Sequence, residues 1–287
     1  RRLKEMGGFS LLRTSDPPQS PVAWSNFISG TNPGSHGLFD FITRDSATLQ
    51  PHFSMARVEP PARTLTLGRH IIPLSGLRIA NLRQGPTFWV ELEKHGIGCT
   101  VLRMPANFPP TPCAGRTLAG MGTPDIQGGY GTFTVLTDET AETTREVAGG
   151  RICRVSVNGN VVESELLGPA NSLDSGHAEV RAPFAVHIDR EHAVAKVTIQ
   201  GQELLLNEGE WSEWIPVRFT LASAIATCSG ICRFFLKRAR GPFTLYISPV
   251  NLNPAEPASP LSTPPSYVRD LTRELGGVHT QGIAEAI

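Results

Sequence analysis

The sequence predicts an α/β protein interrupted by a β-rich antiparallel insertion. Three observations carry this prediction. A helical stretch framed by Pro86 and Gly96 leads into the apolar run 99–104. That is the order of a helix followed by a buried strand in a doubly wound sheet. Residues 150–250 then hold a succession of short alternating runs, the pattern of antiparallel strands with one buried face. Finally, a helical pattern returns at 264–276 behind a Pro/Ser/Asn-rich connector. The expected organisation is an α/β core over 1–148, a β-rich insertion over 149–250, and a linker with a return helix over 251–287.

The elements follow in order. Residues 1–6 read as the end of an amphipathic helix entering Gly7 and Gly8. With no initiator Met and no signal-peptide pattern at one end, and no terminating pattern at the other, the chain reads as a piece of a longer protein. Pro17 and Pro18 force extended backbone up to Gln19. Ser20 is a favoured N-cap residue and Pro21 suits the first helical turn. A helix over 21–29 would turn Val22, Ala23, Phe27 and Ile28 inward, with Gly30 ending it. Residues 38–42 and 63–67 read as short strands, and 86–95 as a helix. The stretch 105–130, rich in Pro and Gly, reads as a long irregular loop. Asn158-Gly159 is a type I′ turn signal that would join 151–157 to 160–166 in a hairpin. Further strands are expected at 184–188, 193–199, 203–206, 215–221, 232–236 and 243–247.

Composition narrows the functions available. Hydrophobic residues make up 40% of the chain, enough for a sizeable core, while the formal net charge is zero. A neutral chain has no overall field to attract a nucleic-acid polymer or an anionic membrane, so local groups must hold any anionic ligand. No apolar run approaches the roughly 18–20 residues that span a bilayer. The five cysteines have neither the even count of a disulfide framework nor paired metal-ligand spacing, and Cys228 and Cys232 read as buried thiols. The compartment, cytoplasmic or exported, stays open.

The segment richest in chemistry is 17–41. Ser20 at a helix start has two readings. It caps the helix, or it is a nucleophile whose target phosphate is held by free N–H groups and the positive end of the helix dipole. The run Ser20-Pro-Val-Ala-Trp-Ser-Asn-Phe-Ile-Ser-Gly30, followed by His36-Gly37, resembles the nucleophile segment of the type I phosphodiesterase/nucleotide pyrophosphatase family, in its phosphohydrolase/phosphomutase-like branch. Residues 100–110, 118–125, 131–134 and 266–282 resemble later family segments in the same order.

The resemblance implies an alkaline-phosphatase-like core, incomplete here, and a metal-dependent phosphoric ester hydrolase. It implies Ser20 as both nucleophile and metal ligand, a phospho-serine intermediate, and two divalent metal ions, zinc or another, acting on a small-molecule phosphoester. The family's other Asp and His ligands have no counterpart here, so residues 1–287 are expected to be inactive alone. Ala23 stands where the eukaryotic nucleotide pyrophosphatases carry an Asn, which leaves monoester, diester, sulfate and phosphonate substrates open. Asn107, at a strand end, and Asp125, in the Gly/Pro-rich loop, are candidate substrate contacts. His36, Asp40, Asp45, His187 and His192 are explained by turns and helix ends as readily as by ligation. Trp211 and Trp214 could stack on a sugar or pack in a sandwich. Two alternatives remain: a catalytically incomplete binding or structural protein using the β-rich region, and a phosphoglycerate-mutase-like phosphotransferase.

Overall fold

A computed structural model of the chain describes residues 2–75, 78–222 and 226–276. Strands dominate and helices are few. The main core lies in the β-rich region. A four-stranded antiparallel sheet runs in sequence order through Val161–Ala170, Glu179–Asp189, Val194–Ile199 and Gln202–Asn207. Its alternation is that of the sequence: Ala182, Phe184, Val186 and Ile188 are buried while the residues between them are not. These side chains meet Phe219 of Ile215–Ala222, Phe234 of Phe234–Arg238 and Leu245 of Thr244–Ile247. Gly168 lets the first sheet approach closely, since a Cβ there would lie 2.4 Å from the Phe219 ring.

The Asn158-Gly159 turn forms, one residue later than expected. Gly159 and Asn160 take φ of 55° and 70°, and Asn158 and Val161 exchange backbone hydrogen bonds of 2.9 and 3.0 Å. Beyond that bridge the flanking strands do not pair with each other. Gly150–Arg154 instead runs parallel to Phe133–Thr137 in a five-stranded sheet, and Val161–Ala170 pairs with Glu179–Asp189. Gly150 permits this: a Cβ there would sit 2.4 Å from the Phe133 carbonyl oxygen. The expected boundary at 148 therefore falls inside one sheet.

The region before it differs from a doubly wound sheet. Among the described residues, parallel pairing is confined to Gly150–Arg154 with Phe133–Thr137 and Thr100–Met104 with Arg116–Ala119. The second pair adds Ser262–Thr263 as an antiparallel neighbour. So the expected loop 105–130 contains a strand, made possible where Gly120 passes the Arg103 backbone too closely for a side chain. Thr100–Met104 is not buried on both faces: Val101 is buried, but Leu102 is exposed. Three short antiparallel pairs occupy 42–81, where the sequence predicted only the strand 63–67 and the end of 38–42: Ile42–Arg44 with Pro51–Phe53, Ala56–Glu59 with Arg78–Asn81, and Thr64–Leu67 with His70–Pro73. Residues 38–41 are not strand.

Helices Ser20–Ser29 and Phe88–Lys94 pack with Thr100–Met104 through Ile28, Trp89 and Val101. The second begins after Thr87, so Pro86 precedes the cap rather than opening the helix. The return helix forms at Tyr267–Leu275, burying Val268 against Phe108, Leu118 and Leu261. The rest of the expected return segment, 277–287, lies outside the described residues. No described helix is long and apolar enough to cross a membrane.

Candidate active site

The helix Ser20–Ser29 is built as its sequence dictates. Gln19 is extended (φ −109°, ψ 141°), Ala23 N–H closes the first turn on Gln19 carbonyl at 2.9 Å, and Gly30 ends the helix at φ 67°. The N-cap is therefore Gln19, and Ser20 is the first helical residue. This one-residue shift changes the chemistry. Ser20 makes no capping hydrogen bond; its side chain is exposed and has no partner among the described residues. The N–H groups of Ser20 and Val22 also lack acceptors there. Val22 and Ile28 are buried and anchor the helix, whereas Phe27 is 59% exposed rather than inward. Phe27 instead meets Trp24 and Phe88 edge-to-face, at centroid separations of 5.9 and 5.6 Å.

His36 fixes the helix from below. The short helix Pro33–His36 buries its imidazole completely. Nδ1 lies 3.1 Å from the Leu38 N–H, and Nε2 lies 2.7 Å from the side-chain amide of Asn26. Burial lowers the His36 pKa, and the nearby Arg83 cation lowers it further. A neutral imidazole thus ties the middle of the Ser20 helix to the turn behind it.

Arg83 carries no motif that would single it out in the sequence. It is almost fully buried, and desolvation brings its pKa down to about 10. Nη2 donates to Thr111 Oγ1 at 3.1 Å, while Nε and Nη1 have no partner. Thr111 Oγ1 in turn donates to Asn107 Oδ1 at 3.1 Å. Asn107 is wholly buried, and its Nδ2 is likewise unpartnered. Three buried donor atoms therefore stand around one threonine with no acceptor among the described residues.

Asp125 is fully engaged. Oδ1 accepts N–H groups of Gln127 and Gly129 at 3.0 and 2.8 Å, and Oδ2 accepts those of Gly131 and Thr132 at 3.3 and 2.9 Å. These bonds hold the loop after Arg116–Ala119 in shape.

The other candidates are also accounted for locally. Asp40 and Asp45 accept N–H groups of their own turns. His192 pairs with Asp189 at 2.8 Å, and His187 lies exposed on its strand. Trp211 and Trp214 both lie against the Arg233 guanidinium, at 5.1 and 5.7 Å, so packing engages them.

No three His, Cys, Asp or Glu side chains among the described residues are placed to hold a metal ion. Ser20 is a single hydroxyl donor, so these residues by themselves do not fit a two-metal centre.

The Ser20 helix, the Pro33–His36 turn and the Arg83 cluster all lie in one half of the sequence, and that half has relatives. Residues 1–134 match the model of the type I phosphodiesterase / nucleotide pyrophosphatase family. The family is named for action on phosphodiester and nucleotide pyrophosphate bonds. The match contains Ser20, His36, Arg83, Asn107 and Asp125. It stops within Phe133–Thr137 and does not reach residues 266–282. No curated protein and no solved structure matches the chain.

Proposed function

We propose that this protein is a metal-dependent phosphoric ester hydrolase in which Ser20 forms a covalent phospho-serine. The observation that carries this reading is an exposed, unpartnered hydroxyl on the first residue of a ten-residue helix, inside the family match. In this reading the free N–H groups of Ser20 and Val22 receive phosphoryl oxygens. Ser20 Oγ forms a bond to phosphorus, the ester P–O bond breaks, and the alcohol leaves with the serine proton. Water then attacks phosphorus, the Ser20 Oγ–P bond breaks, the phosphate product leaves, and a proton from the water returns to Oγ.

Among the described residues no base hydrogen-bonds Ser20, and a serine at its ordinary pKa is a weak nucleophile, so an added group must activate it. Two divalent ions, zinc or another, would supply that activation. Because the described residues do not fit such a centre alone, the 287-residue chain given only zinc is proposed to be inactive. Asn107 Nδ2 is proposed as a substrate-oxygen donor, since it has no acceptor of its own. Asp125 is proposed to act on substrate only by holding its loop.

The test is hydrolysis of bis(4-nitrophenyl) phosphate by the active protein, with mass-spectrometric trapping of a phosphorylated serine. Ser20→Ala is expected to remove the phospho-peptide and lower turnover by about 10³-fold or more. Turnover that survives Ser20→Ala overturns the nucleophile. Turnover by residues 1–287 with zinc, abolished by Ser20→Ala, upholds the nucleophile and overturns the inactivity of the chain alone.

A further inference from the structure

A second concave site lies between the short pairs of 42–81 and the Asp125 loop. It is a cavity of about 450 Å³, within the range of small-molecule sites. Phe53, Phe108, Tyr130 and Ile79 contribute to its apolar wall. Phe53 and Tyr130 meet edge-to-face with centroids 4.5 Å apart, which leaves an aromatic corner suited to one more ring. Burial raises the Tyr130 pKa to about 12, so its hydroxyl stays neutral.

The polar groups of the lining have one sense. Arg57 is its cation, and its Nη2 donates to His52 Nε2 at 2.8 Å. With Nε2 accepting, the His52 proton sits on Nδ1, which is buried and has no partner. Both groups are donors, and no Asp or Glu among the described residues lines the cavity. The carboxylate nearest Arg57 is Asp45, 3.4 Å away in a solvent-exposed pair, and such a pair is weak and readily exchanged. An aromatic wall with a guanidinium and an unsatisfied N–H at its edge complements a ring bearing an acidic group.

We propose that this cavity binds a small aromatic oxyanion, its ring against Phe53 and Tyr130 and its acidic group on Arg57 and His52. The site stands apart from the Ser20 reading and holds whether or not Ser20 transfers phosphate.

Calorimetric titration of the 287-residue chain with 1-naphthalenesulfonate, with the uncharged 1-naphthalenemethanol and with inorganic sulfate tests it. The sulfonate is expected to bind at least about tenfold more tightly than either comparison probe, because only it engages both wall and donors. Arg57→Gln should bring sulfonate affinity down about tenfold, to that of the neutral probe. Tyr130→Ala should weaken both aromatic probes by a similar factor. Equal affinity for the sulfonate and the alcohol, no sulfonate binding, or an Arg57→Gln variant that binds as the parent does overturns the proposal. The probe comparison needs no variant, so it decides the matter even if Tyr130→Ala does not fold.

Discussion

His36 and Arg83 are buried groups, and the Arg83 cation disfavours protonation of His36. In the folded chain His36 has a pKa below its ordinary 6.5, from burial first and Arg83 second. Between 6.5 and the lowered folded value, the unfolded chain therefore binds more protons than the folded one. Stability from this residue is complete above 6.5 and is lost as pH falls through that window. The parent protein should lose more melting temperature between about pH 7.5 and pH 5 than His36→Gln does; parallel losses would remove His36 from the acid response. Arg83→Met should move the His36 titration upward, because a cation that opposes imidazole protonation is gone. NMR of the imidazole Cε1–H reads that shift directly, and an unmoved midpoint would falsify the coupling. Arg83→Met should also be neutral or stabilising by roughly 1–4 kcal/mol, since it removes a buried guanidinium with two unpaired N–H atoms. The sequence alone hid this pair. His36 could be read as a helix-end residue, but its tie to Asn26 depends on two helices meeting, and Arg83 lies in no pattern at all.

At the scale of the element, the 125–132 loop is held by the Asp125 side chain as well as by its own backbone turn. Asp125→Ala strands four N–H groups of the 127–132 loop at once, and is expected to cost about 2–4 kcal/mol in urea unfolding. A variant with parental stability but impaired catalysis would show that Asp125 meets substrate instead. Which elements could be read in advance follows the same logic. Glu179–Asp189 and Ile215–Ala222 were legible because alternation records burial on one face, a local property. The Ser20 helix was legible because Pro21 and Gly30 mark its ends. Arg116–Ala119 was not legible, because it sits among prolines and glycines and exists through its partner Thr100–Met104. Nor was the parallel pairing of Gly150–Arg154: the Asn158-Gly159 signal described the turn and said nothing about which sheet each arm would join. Ser20 itself was placed to within one residue. That residue separates a capping serine from a free one, since only as the first helical residue is its hydroxyl unengaged.

Across the whole molecule, apolar burial is uneven, and stability should follow it. The large cluster around Phe184, Phe219 and Phe234 ties together strands of the four-stranded sheet, the five-stranded sheet and the sheet of Ile215–Ala222, whereas Ile42–Arg44 and Thr64–Leu67 have no buried residue. Amides in elements with little buried area open by local fluctuation, while those in the main core open only with global unfolding. Hydrogen exchange of Val186, Val197 and Leu245 should therefore be slower than that of Thr43 and Thr66 by at least about a hundredfold after correction for intrinsic rates. The uneven distribution also bears on the aromatic cavity. The wall of the aromatic cavity includes residues 51–53 and 56–58, from two strands of this weakly buried region. A ligand that binds only the closed form lowers the open population in proportion to its occupancy. Saturating 1-naphthalenesulfonate should thus slow exchange at Phe53 and Val58 while leaving Val186 and Leu245 unchanged. Uniform slowing across the chain would mean that the cavity and the β core open as one cooperative unit.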